Sequence, residues 1–124
     1  MQKIIITILA LLSLNCNAEW ANWSDLDKKL FVASQIAIVA DWSTTRYGTR
    51  HYNDLPNIRE TNIIIGSYPS TNKVDLYCIA LLVSNYYIAD NLSTENRTFY
   101  LSVRTLTHGI AARHNVTMGW QMRF

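Results

Sequence analysis

The chain has 124 residues, with eleven Lys and Arg against nine Asp and Glu and a mean hydropathy of zero. That length suits one domain with a modest core. The near-even charge argues against nucleic acid as a partner, which would need a clear basic excess, and no polybasic run is present to hold anionic lipid.

Residues 1–18, MQKIIITILALLSLNCNA, place Lys3 before an apolar run from Ile4 to Leu14 and end on Cys16-Asn17-Ala18. This is the anatomy of a secretory signal cut ahead of Glu19, because the apolar run falls short of the roughly 20 residues of a spanning helix. A short uncleaved anchor is the alternative. Lipidation at Cys16 is disfavoured, since Ser13-Leu14-Asn15 is a poor lead-in to an acylated thiol. With the leader removed, Cys78 is the single thiol, which excludes an intramolecular disulfide and predicts a buried side chain acting as a small hydrophobe. Residues 19–124 then form a single helical domain.

Three helices are expected, over about 24–47, 70–91 and 94–115. The first opens at Ser24, where Ser-Asp-Leu-Asp resembles a capping box and sets acids at the positive end of the helix dipole; Gly48 is its expected stop. A long connection follows from Thr49 to Pro69, with Asn53-Asp54, Pro56 and Gly66 as turn signals. The second helix opens at Ser70. Ser93 or Thr94 caps the third, in which Gly109 is an interior weak point costing about 1 kcal/mol relative to Ala. Short and long connections together predict an all-α fold, a small three-helix bundle. The tail TMGWQMRF alternates, with Trp120, Met122 and Phe124 on one side, and reads as a short extended segment on the bundle. The same alternation ends outer-membrane barrels, but a barrel needs many strands of about ten residues and none is legible elsewhere.

The apolar stretches Leu30–Ala40, Leu76–Ala89 and Phe99–Ala112 are each shorter than a span. The third also carries Arg104, at a cost of about 2.5–3.5 kcal/mol on insertion scales. Against this, the stretches are rich in Ile, Leu, Val and aromatic residues, and bundles with inward polar groups do exist in membranes.

Polar residues recur on one face of each helix: Arg97, Arg104, His108 and Asn115; Ser34, Ile38, Asp41 and Thr45; Cys78, Leu81 and Asn85. If those faces meet, Asp41 lies against Arg104 or His108, with Thr45 and Asn85 completing hydrogen bonds, because an unpartnered buried carboxylate costs several kcal/mol. The seam is read first as an architectural network fixing helix register. The sharper reading is a pocket in which Asp41, Glu60 and His108 are the catalytic candidates. His51, His108 and His114 lack zinc spacing, and neither a Gly-rich phosphate loop nor a Gly-x-Ser-x-Gly elbow occurs, so no metal or cofactor is expected.

Three motifs carry a resemblance. They are Asp41-Trp42-Ser43-Thr44-Thr45-Arg46, Glu60-Thr61-Asn62-Ile63-Ile64-Ile65-Gly66, and Pro69-Ser70 followed by Val74 and Tyr77. With the late His114-Asn115 and the terminal Phe124, they resemble an uncharacterised family of short signal-bearing proteins of proteobacteria and their phages, with the pattern Asp-Trp-x-x-Thr-Arg, Glu-x-Asn-Pro-x-x-Gly and Pro-Ser-x-x-x-Val-x-x-Tyr. Ile63 stands where that pattern has Pro, which softens the turn after Asn62. The resemblance implies architecture and compartment rather than chemistry, and similar motifs occur in membrane proteins of unassigned role. It also suggests that Glu60 pairs with Arg46, with Asn62 bonding backbone, to hold the long loop on the bundle.

The expectation is therefore an exported envelope protein, periplasmic or membrane-associated and phage-encoded in one version, that serves as a non-enzymatic binding or structural accessory to an envelope protein or membrane surface. Two alternatives stand beside it: a small integral membrane protein of a lysis or infection-exclusion type, and an envelope-acting enzyme using Asp41 and His108. Oligomeric state is not legible.

Overall fold

The computed structural model describes residues 19–54, 60 and 62–124; the leader, Cys16 and Pro56 lie outside them. A short helix α1, Glu19–Asn22, precedes α2, Asp25–Arg50; α3 spans Thr71–Asp90 and α4 spans Thr94–Thr117. No strand occurs among the described residues, and the architecture is the all-α bundle expected.

Local chemistry explains the helix starts. The Ser24 side chain accepts from the Asp27 N–H at 3.0 Å, and Ser70, just after Pro69, accepts from the Lys73 N–H at 3.3 Å, each satisfying one orphan donor of a first turn. At Ser93 the side chain makes no such bond. The far end of α2 departs from expectation. Gly48 does not stop the helix, which continues to Arg50. The glycine is there for space: a Cβ on Gly48 would lie 2.6 Å from the ring of Trp120. Trp120 itself is buried, and the tail turns back to bring it there through Gly119, whose φ is +90°. Met122 and Phe124 stay exposed, although Phe124 sets its ring edge against Trp42.

The central helix α2 contacts both others. It runs parallel to α4, as the pairs Asp27–Thr98, Asp41–His108 and Thr45–Asn115 require. It runs antiparallel to α3, through Ser34–Asn85 and Trp42–Asp75. Two apolar clusters hold the ends. Near the α3–α4 turn, Trp23, Tyr86, Ala89 and Leu101 form one core, flanked by Trp20, Leu30, Phe31 and Tyr100. At the other end Trp42, Ile65, Val74 and Cys78 form a second, with no residue of α4. The helices α3 and α4 therefore meet at their turn, and at the opposite end only α2 joins them.

Candidate functional site

Ionic contacts line the inner faces of the helices. At the turn end the Asp27 carboxylate is fully buried. It accepts from Thr98 Oγ1 at 2.6 Å and lies 3.7 Å from Arg97 Nη1. Arg97 also donates to the carbonyls of Ala89 and Leu92, both at 2.8 Å, and stacks on Trp23, 4.5 Å from the ring centre. One guanidinium so closes the last turn of α3 and ties it to α2. Its planar fork is what lets it serve acceptors in several directions.

The middle of the bundle holds Asn85, which donates to Ser34 Oγ at 2.8 Å and to Gln35 Oε1 at 3.0 Å. This corrects the expectation that Asn85 completes bonds to Asp41. α3 faces a different stretch of α2 at this level, so the two residues share a polar interior but not a site.

Arg46 also finds a partner other than the one expected. It pairs with Asp75, Nη1 to Oδ2 at 3.3 Å, while the other oxygen of Asp75 accepts from Trp42 Nε1 at 2.8 Å. Trp42 and Arg46 stand one turn apart on α2 and reach the same carboxylate. Glu60 is spent locally, accepting from the Asn62 N–H at 2.9 Å, and Asn62 Oδ1 accepts from the Ile64 N–H at 3.0 Å. The loop is held on the bundle by Ile65, inserted into the second core, rather than by a Glu60–Arg46 pair.

Asp41 and His108 come together, with 2.8 Å between Oδ2 and Nδ1. Asn115 Nδ2 lies 3.3 Å from the other oxygen of Asp41 and also reaches Thr44 and Thr45, at 3.0 and 3.2 Å. Thr45 Oγ1 is 3.4 Å from the same Asp41 oxygen. A carboxylate can only accept, so Nδ1 of His108 carries a hydrogen and Nε2 faces away from the pair. That Nε2 is buried with no protein partner, as is Nε of Arg104. The Arg104 guanidinium lies over the Tyr100 ring, 5.8 Å from its centre, instead of pairing with Asp41.

Both groups border a cavity of about 250 Å³ at the end where no apolar core joins α3 to α4. Asp41 and Thr45 line it from α2, Tyr77 and Cys78 from α3, His108 and Asn115 from α4, and Glu60, Asn62 and Ile65 from the loop. Cys78 is buried, as a lone thiol was expected to be. Sequence reasoning missed Tyr77, Thr107 and His114 as neighbours of this space, and missed Asp75 as a partner. Asp75 was legible in principle, because an indole N–H and a guanidinium on one inward helix face require a shared acceptor. No three His, Cys, Asp or Glu side chains among the described residues are placed to hold a metal ion.

The arrangement offers an oriented imidazole, an unpaired guanidinium and several hydroxyls around a small polar space. No protein-family model matches the chain, and neither the curated proteins nor the solved structures contain a match to it.

Proposed function

We propose that the protein is an exported accessory of the cell envelope with a binding rather than a catalytic role, and that the cavity between α3 and α4 receives a polar group of its partner or ligand. The leader-like residues 1–18 support the compartment. One observation carries the binding role: His108 and Arg104 line the cavity, and His108 Nε2 and Arg104 Nε are buried without a protein partner, where an unmet donor or acceptor costs roughly 1–3 kcal/mol. A bound group that satisfied them would recover that cost. The reading is tested by capture from envelope fractions with wild-type chain and with an Arg104→Met/His108→Phe variant of equal helicity. A component held by the first and lost by the second supports it. Equal capture by both, or turnover of a substrate by the purified chain alone, counts against it.

A second reading, an envelope-acting enzyme, is favoured by the orientation of His108. Asp41 fixes the ring of this cavity-lining residue through Nδ1 and leaves Nε2 without a protein partner, the arrangement of a general base held by a carboxylate. In that case Asp41→Asn abolishes activity and leaves the thermal midpoint nearly unchanged.

A further inference from the structure

Along the middle of the three long helices the exposed side chains are mostly apolar, while the charged ones are enclosed beside the apolar cores. Along α2, from Leu30 to Thr49, the exposed residues are Val32, Ile36 and Val39. Along α3, from Val74 to Ala89, they are Leu76, Ala80, Tyr87 and Ile88. Along α4, from Thr98 to Ala112, they are Phe99, Val103, Leu106, Thr107, Gly109 and Ile110. Ile36, Leu76, Phe99, Leu106 and Ile110 each show more than three-fifths of their surface, at 64, 71, 73, 63 and 66 %. The Asp, Arg and His residues of the same stretches, Asp41, Arg46, Asp75, Arg104 and His108, are instead buried or half-buried. Exposed charge on these helices returns only toward their ends, at Asp25, Lys29, Arg50, Lys73, Glu95 and Arg113.

Isolated exposed apolar side chains are ordinary on a water-soluble protein, but continuous apolar faces are not. The spacing 99, 103, 106, 110 is one stripe of a helix, and 32, 36, 39 is another. Because α2 runs parallel to α4 and antiparallel to α3, the three stretches without exposed charge lie at one level and form a belt. By the standard helical rise the stretch free of exposed charge is about 30 Å long on α2 and 22–24 Å on α3 and α4, against a hydrocarbon layer of about 30 Å. The exposed apolar residues within it span about 10 Å on α2, 18 Å on α3 and 16 Å on α4.

We propose that this belt seats the bundle in the hydrocarbon layer of a lipid bilayer, with the Asp41–His108, Arg46–Asp75 and Ser34–Asn85 contacts turned inward. A second copy or a protein partner would cover one side of the bundle, whereas the apolar faces lie on three helices. Taken singly, no helix among the described residues is long and apolar enough to cross a membrane. The hydropathy of a helix includes its whole circumference, and with it the polar face the bundle encloses. Charged residues within lipid are tolerated when they face the bundle interior and pair there, as Asp41 with His108 and Arg46 with Asp75 do. The inference stands apart from the cavity and does not need it to bind anything.

The test uses the full chain in vesicles of phosphatidylethanolamine and phosphatidylglycerol. A polarity-sensitive dye is attached at Ile36→Cys, Leu106→Cys or, as the control outside the belt, Arg113→Cys, each in a Cys16→Ser/Cys78→Ala background. The expected result is several-fold weaker iodide quenching at 36 and 106 than at 113, with strong quenching there by lipids nitroxide-labelled on the acyl chain. Iodide quenching as strong as at 113 overturns the inference. So does shielding from both quenchers, which means that protein covers the belt. The unaltered chain in the same vesicles, photolabelled with an apolar carbene reagent, covers the case in which the cysteine background fails to fold. Label on residues 99–110 is expected, and label confined to residues 1–18 overturns it.

Discussion

Gly48, inside α2, is pressed against the indole of Trp120 in the tail, so closely that a Cβ at position 48 would lie 2.6 Å from the ring. Gly48→Ala should therefore destabilise the fold, although alanine is the better helix former by about 1 kcal/mol. Overpacking costs roughly 1–3 kcal/mol, so a net loss of up to about 2 kcal/mol is expected in chemical denaturation. In a Trp120→Ala background the same change should turn neutral or stabilising. A gain in the wild-type background would show that the tail does not pack as described.

The Asp41–His108 pair should be worth measuring by a double-mutant cycle. Breaking a fully buried pair costs about 3–5 kcal/mol, but the Asp41 side chain is 21 % exposed. Asp41→Asn is therefore expected to cost about 1–3 kcal/mol, with a coupling to His108→Gln of at least half that loss. An unchanged thermal midpoint would favour the catalytic reading of this pair.

At Asp75 the outcome depends on what is left behind. Asp75→Asn keeps an oxygen for Trp42 but leaves the Arg46 guanidinium buried without its counter-charge, and a loss of about 3–5 kcal/mol is expected. The double variant Arg46→Met/Asp75→Leu removes both charges and should be more stable than Asp75→Asn alone. If it is less stable, the pair contributes more than the cost of desolvating it.

Tyr52, at the start of the long loop, gives a pH signature outside the belt. Burial, then the nearby Glu60 and Tyr68, push its phenol up from about 10 to about 12. The folded state holds the neutral form, so this contribution is intact below pH 10 and is lost as the pH climbs from about 10 through 12. Tyr52 should ionise late in an ultraviolet titration, and its contribution to that late phase should disappear in Tyr52→Phe. That variant should also lose less stability than wild type above pH 10.

The amino-acid order alone determined the helices and their starts. Ser24 and Ser70 cap by contacts three residues away, and the apolar periodicity of each segment is a local property. The inward polar faces were also legible, because residues spaced three, four or seven apart share one side of a helix whatever surrounds it. Which polar residue meets which was decided only by tertiary structure. Asp41 chose His108 over Arg104, Arg46 chose Asp75 over Glu60, and Asn85 went to Ser34, because helix direction and axial offset set the partners across an interface. Gly48 misled for the same reason: locally it reads as a stop, while its role is to make room for an indole 72 positions further along the chain. The belt, too, needed the fold. Apolar periodicity says that a face is hidden from water, and only the packing of α2, α3 and α4 showed how many apolar side chains stay exposed beside the enclosed polar faces.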